Sequence, residues 1–157
     1  MAAALMGILT IRSCNMPDTD KLTISLEKLC FIITKARQFD GKDMLTDPGD
    51  SSNATDDGMR EVLEDHASDP VHAELASFIW ALNEDEQIDL VALIWLGRGD
   101  GRAASWEELR TEAARDHNKR TVEYALGIPL LGDYLDEALS QFGLACADLS
   151  EADLEGM

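Results

Sequence analysis

The chain has 157 residues, the length of one folded domain. It carries 31 acidic and 13 basic side chains, a formal net charge of −18, and a hydrophobic share of 45%. That share argues against wholesale disorder, and no apolar run reaches the roughly 18 residues of a membrane helix. The excess of carboxylates disfavours nucleic acid and anionic membrane as partners, because both are bound through clustered positive charge.

Ala (19) and Leu (21) far outnumber Val (4) and Ile (9). Straight-chain and methyl side chains lose little freedom in a helix, whereas β-branched ones favour strands, so the composition points to an all-α fold. Cys14, Cys30 and Cys146 are widely spaced, with no CxxC pair. An odd count without pairing points to a reducing cytoplasm and against a disulfide scaffold. His66, His72 and His117 do not combine with a Cys or with one another at zinc-ligand spacing, and no metal or other cofactor is expected.

In chain order, residues 1–15 come first. Ala2 to Ile11 is apolar, with Arg12 behind it, the reverse of a secretory signal. Met16 is therefore expected to be the true start, with residues 1–15 a non-native or disordered leader. From Leu22 to Phe39, Leu26, Leu29, Cys30, Ile33 and Ala36 recur at helical spacing, and Phe31 and Ile32 widen the stripe. The run LCFIIT within it also fits a buried strand, but its context favours a helix. Asp40 to Asp57 mixes turn formers with repelling carboxylates and reads as a flexible acidic loop, centred on 40–54. Thr55 can cap a short helix to about His66.

Asp69-Pro70 reads as an N-cap with proline at the first helical position, followed by Val71, Leu75, Phe78 and Leu82. Asn83 with Glu86 has capping-box form. The helix it opens is apolar nearly all round and is expected to be central, ending at Gly97. Ser105 with Glu108 forms a second capping box, with Trp106, Leu109 and Ala113 facing inward. Thr121 to Leu126 is a short helix ended by Gly127. Pro129 opens the last helix, with Leu130 and Leu131 in the core and Gly143 as its cap. Residues 144–157 read as an acidic tail. The expected architecture is one compact all-α bundle of six or seven short helices over 22–143, without a sheet and without internal repeats.

The segments LTISLEKLCFIITKARQFDGKD (22–43), TDDGMREVLEDH (55–66), ALNEDEQIDLVALIWLGRGDG (81–101) and GIPLLGDYLDEALSQFG (127–143) resemble a bacterial family of short acidic proteins known only as a domain of unknown function. The resemblance implies a folded module and no particular chemistry.

Four places are candidates for function. Asn53, Thr55, Asp57, Gly58 and Glu64 fall on positions 1, 3, 5, 6 and 12 of a calcium loop. Arg60 stands where an apolar residue belongs, however, and Pro48-Gly49 cannot supply the entering helix, so an acidic loop running into a helix is the better reading. Trp95 closes the central helix, and the following glycine-rich turn presents Arg98 and Asp100. Such a turn admits close approach, and Arg98 can grip an anion in two-pronged fashion. The plainer reading makes Trp95 core and pairs Arg98 with Asp100. The Arg98-Gly99-Asp100 tripeptide has no adhesive meaning in this context. Asp133 and Tyr134 form a second place, read more plainly as a helix N-terminal charge and a core tyrosine. Finally, residues 98–120 hold six bases and five acids, between a 70–97 stretch with five acids and a 121–157 stretch with eight, neither containing a base. That near-neutral band is either a solvated face or a docking surface.

No nucleophile–base pair, HExxH or phosphate loop occurs, so catalysis is not the expected role. The leading expectation is a small cytoplasmic module that binds another protein, a second copy of itself included, since Trp and Arg near turns serve as interface anchors. The alternatives are a small-ligand protein or enzyme built on Trp95, Arg98 and Asp100, and an acidic mimic of nucleic acid.

Overall fold

The structure, a computed structural model, describes residues 19–46 and 69–148. Six α-helices occur among them: α1 (Leu26–Thr46), α2 (Pro70–Ala81), α3 (Glu84–Arg98), α4 (Trp106–Asp116), α5 (Thr121–Leu126) and α6 (Leu131–Gln141). Short 3-10 turns lie at Thr19–Lys21, Ala103–Ser105 and Cys146–Asp148, and the described residues contain no strand. The all-α expectation holds. The leader, the calcium-loop match at Asn53, Thr55, Asp57 and Glu64, and the 55–66 helix lie outside the described residues.

The local signals explain most of the helix starts. Asp69 accepts a hydrogen bond from the Val71 N–H at 2.8 Å, with Pro70 at the first helical position, where its missing N–H costs nothing. Asn83 and Glu86 form a reciprocal capping box, with N···O distances of 2.9 and 3.1 Å. Ser105 does not cap α4 with its side chain, contrary to the sequence reading. The 3-10 turn before it leaves Ser105 at φ −102°, ψ 24°, outside the extended conformation that aims an N-cap oxygen at the helix.

α3 is the centre. Ile88 through Ile94 are all buried, as is Leu96. It packs against α6, α4 and α5, while α1 packs on α6 and α2. One apolar core takes residues from all six helices, including Leu29, Ile32 and Ile33 of α1, Trp106 of α4 and Leu135 of α6. The LCFIIT run is thus helix, buried on more than one side. Polar groups stitch the layers. Asp89, fully buried on α3, accepts the backbone N–H groups of Thr23 and Ile24 and pairs with Arg110 of α4. The hydrogen bond to Asp89 holds the Arg110 guanidinium pKa above its ordinary value. The buried Trp106 indole donates to the Lys21 carbonyl at 3.0 Å.

Several boundaries differ from the sequence reading. α1 continues through Asp40 to Thr46, so the break expected at 40 does not fall there. α3 passes Gly97 and ends at Arg98, because the left-handed residue is Gly99, at φ 93°. α6 starts at Leu131, and Leu130 is half exposed in a left-handed conformation, not core. The expected tail begins with a buried Leu144. Just beyond it, Cys146 forms a disulfide with Cys30, across 116 residues of sequence. The pairing corrects the expectation of three free thiols. No helix among the described residues is long and apolar enough to cross a membrane.

Candidate functional site

The end of α3 is a Schellman motif. The Gly99 N–H donates to the Leu96 carbonyl at 3.1 Å, and the Asp100 N–H donates to the Trp95 carbonyl at 3.0 Å. This geometry folds the turn back over the helix, so that Arg98 and Asp100 form an ion pair at 2.8 Å. The plain reading of that pair is therefore present. It is not the whole arrangement, because Arg98 also donates to the Tyr124 hydroxyl at 3.3 Å. The Trp95 indole N–H donates to the same oxygen at 2.9 Å. Two residues of the turn thus converge on one atom of α5.

Trp95 is half-buried, packed against the core on one side only. Its other side lines a cavity of about 600 Å³ between α3, α4, α5 and the loop joining the last two. Val91 and Ala113 supply apolar wall, Trp95 and Tyr124 the aromatic wall, and His117, Asn118 and Arg120 much of the rim. A cavity of several hundred Å³ with apolar walls and a few polar groups is the usual form of a small-molecule site.

The rim is held by its own hydrogen bonds. The Asn118 side chain accepts from the Arg120 N–H at 2.8 Å and donates to the Asp116 carbonyl at 3.1 Å, and its own carbonyl accepts the Thr121 hydroxyl. His117 is anchored through Gln87. The Gln87 amide nitrogen donates to the Ile79 and Leu82 carbonyls, so its oxygen is left to accept from the His117 Nε2–H at 3.0 Å. That bond leaves Nδ1 on the side of Glu84, 3.8 Å from its carboxylate. A smaller recess, of about 260 Å³, lies on the far side of His117 and Asn118, beside the exposed Trp80.

The structure brings Trp95, Arg98 and Asp100 together, as the sequence suggested. It places Asp133 and Tyr134 elsewhere. Asp133 is exposed and, with Asp136, pairs with Arg37 of α1. Tyr134 is half-buried, and its backbone carbonyl lies against Gly97. The sequence reading missed Tyr124, His117, Asn118 and Arg120. The signal present was modest: an aromatic residue on the short helix α5, and an Asn six residues before it in a loop rich in hydrogen-bonding side chains.

Residues 72–144 match the model of a family described as Protein of unknown function (DUF3775). No curated protein matches the chain, and no solved structure does. The matched stretch is narrower than the resemblance read over 22–143. It contains every residue of the cavity wall and of the turn, and leaves out α1.

Proposed function

We propose that the chain is a binding protein for a small molecule with a flat apolar body, held in the cavity between α3, α4 and α5. The observation that carries this reading is the pair Trp95–Tyr124: two aromatic side chains, hydrogen-bonded to each other, lining one wall of a cavity large enough for a one- or two-ring compound. Aromatic walls bury large areas of flat ligand surface. No catalytic role is part of the reading. A ligand-detected NMR screen of one- and two-ring fragments against wild type and Trp95→Ala tests it. Mutually competing hits that are lost in the variant are expected. An absence of hits, or hits retained by Trp95→Ala, would overturn it.

A protein partner, the leading expectation from sequence, keeps one specific support. Trp80 is 65% exposed beside Lys119, which has no ion-pair partner among the described residues. Large exposed aromatics with a neighbouring base are common interface anchors. Trp80→Ser would abolish such an interaction while sparing fragment binding in the cavity. The compartment belongs to the same proposal. An odd count of widely spaced cysteines fits the cytoplasm, whereas the Cys30–Cys146 bond fits an oxidising compartment. Thiol labelling of Cys30 and Cys146 in intact cells separates the two.

A further inference from the structure

We infer that the ligand of this cavity carries an oxygen acceptor, a carbonyl or a carboxylate, that sits on the Tyr124 O–H. The inference rests on the cavity reading above and goes beyond it in naming the ligand's polar end. A phenol oxygen can accept two hydrogen bonds and donate one. Both acceptor positions of Tyr124 are taken, by the Trp95 indole at 2.9 Å and by the Arg98 guanidinium at 3.3 Å. The hydroxyl proton is the remaining valence, and no described residue accepts it. Donation from the guanidinium draws charge from the oxygen and makes the O–H a better donor.

A ligand atom in reach of that proton also lies near the Arg98 charge. An oxygen with a lone pair is favoured there by the hydrogen bond, while the Arg98 charge is shared with Asp100 at 2.8 Å. An ammonium group is disfavoured there because it has no lone pair to offer the Tyr124 O–H. Arg120, on the same rim, adds a second cation without an ion-pair partner among the described residues. Asp116 and Glu123 also line the cavity, so net charge does not set the preference. Hydrogen-bond direction at Tyr124 does.

The test is a set of NMR titrations with benzamide, benzoate and benzylammonium, which share a ring and differ in the polar group. At least one oxygen-bearing probe is expected to bind about tenfold tighter than benzylammonium, the worth of one good hydrogen bond. Benzamide in the lead assigns a neutral carbonyl, and benzoate in the lead assigns a carboxylate. Tyr124→Phe keeps the ring and should erase the preference. Tyr124 is exposed, so the variant should fold, and Arg98→Ala, which should narrow the lead of benzoate over benzylammonium, is a second probe of the same point. Equal or tighter binding of benzylammonium, or a preference that survives Tyr124→Phe, overturns the acceptor inference and leaves the cavity reading standing. Failure of all three probes to bind overturns both.

Discussion

Gly97 of α3 is seated directly on the Tyr134 carbonyl of α6: a Cβ at Gly97 would lie 1.8 Å from that oxygen. No side chain fits that gap, and the obstructing atom is backbone, which cannot swing aside. The contact sets how near α6 comes to the last turn of α3, the turn that carries Trp95 and Arg98. Gly97→Ala gains helix propensity of about 1 kcal/mol but must push two helices apart. The clash wins, and a net loss of about 1–3 kcal/mol is expected in urea unfolding. Gly41, in α1, is the control. It is exposed, and a Cβ there meets nothing within 4 Å. Gly41→Ala should therefore stabilise, by about 0.5–1 kcal/mol.

Asp89 is the next most exacting position. It is fully buried and serves two backbone N–H groups and Arg110 at once. Asp89→Ala leaves all three donors without their acceptor and should cost about 3–5 kcal/mol, the usual penalty for breaking a buried pair. A loss under 1 kcal/mol in denaturant unfolding would show that the 19–25 segment is held by other contacts.

Much of this architecture is legible in the sequence, and the part that is not has a physical pattern. The Asn83–Glu86 box, the Asp69-Pro70 entry and the all-round apolar stretch of α3 are local signals, read within one or two turns. The end of α3 was misplaced because three glycines, 97, 99 and 101, follow in alternation, and each can terminate a helix. Which one does so depends on α6, whose close approach occupies Gly97 from outside. Ser105 carries the right residues for a capping box but the wrong backbone. Trp95 and Arg98 stood out as candidates, whereas Tyr124, the atom on which they converge, could be found only by folding α5 against α3. The Cys30–Cys146 pairing is of the same kind, since counting cysteines says nothing about two that are 116 residues apart.

That disulfide should be measurable in stability. It ties the turn at Cys146–Asp148 to α1 and closes a long loop, so its loss should cost about 2–4 kcal/mol. Wild type should melt at a lower temperature in a reductant, and Cys146→Ser should melt at that lower temperature with or without it. A wild-type melt indifferent to reductant would contradict the pairing.

The three tryptophans should separate by burial. Trp106 is 2% exposed, and Trp106→Ala should cost about 3–5 kcal/mol. Trp95 is half-buried at a cavity, with open space already beside it, and Trp95→Ala should cost less, about 1–2 kcal/mol. The plainer sequence reading, with Trp95 in the core, would give it the larger value. Trp80→Ala, at 65% exposure, should stay within about 0.5 kcal/mol of wild type.

The same three side chains give the most direct measurement of the central claim. Each indole N–H yields its own peak in a proton–nitrogen correlation spectrum, and only Trp95 donates to Tyr124. Titration with the tighter-binding of benzamide and benzoate should move the Trp95 indole peak and the backbone peaks of residues 116–124 together, along one saturable curve. The indole of Trp106, bonded to the Lys21 carbonyl, should stay in place. A Trp95 peak that does not move up to the solubility limit of the fragment, or one that moves no more than the Trp106 peak, would contradict a small-molecule site in this cavity.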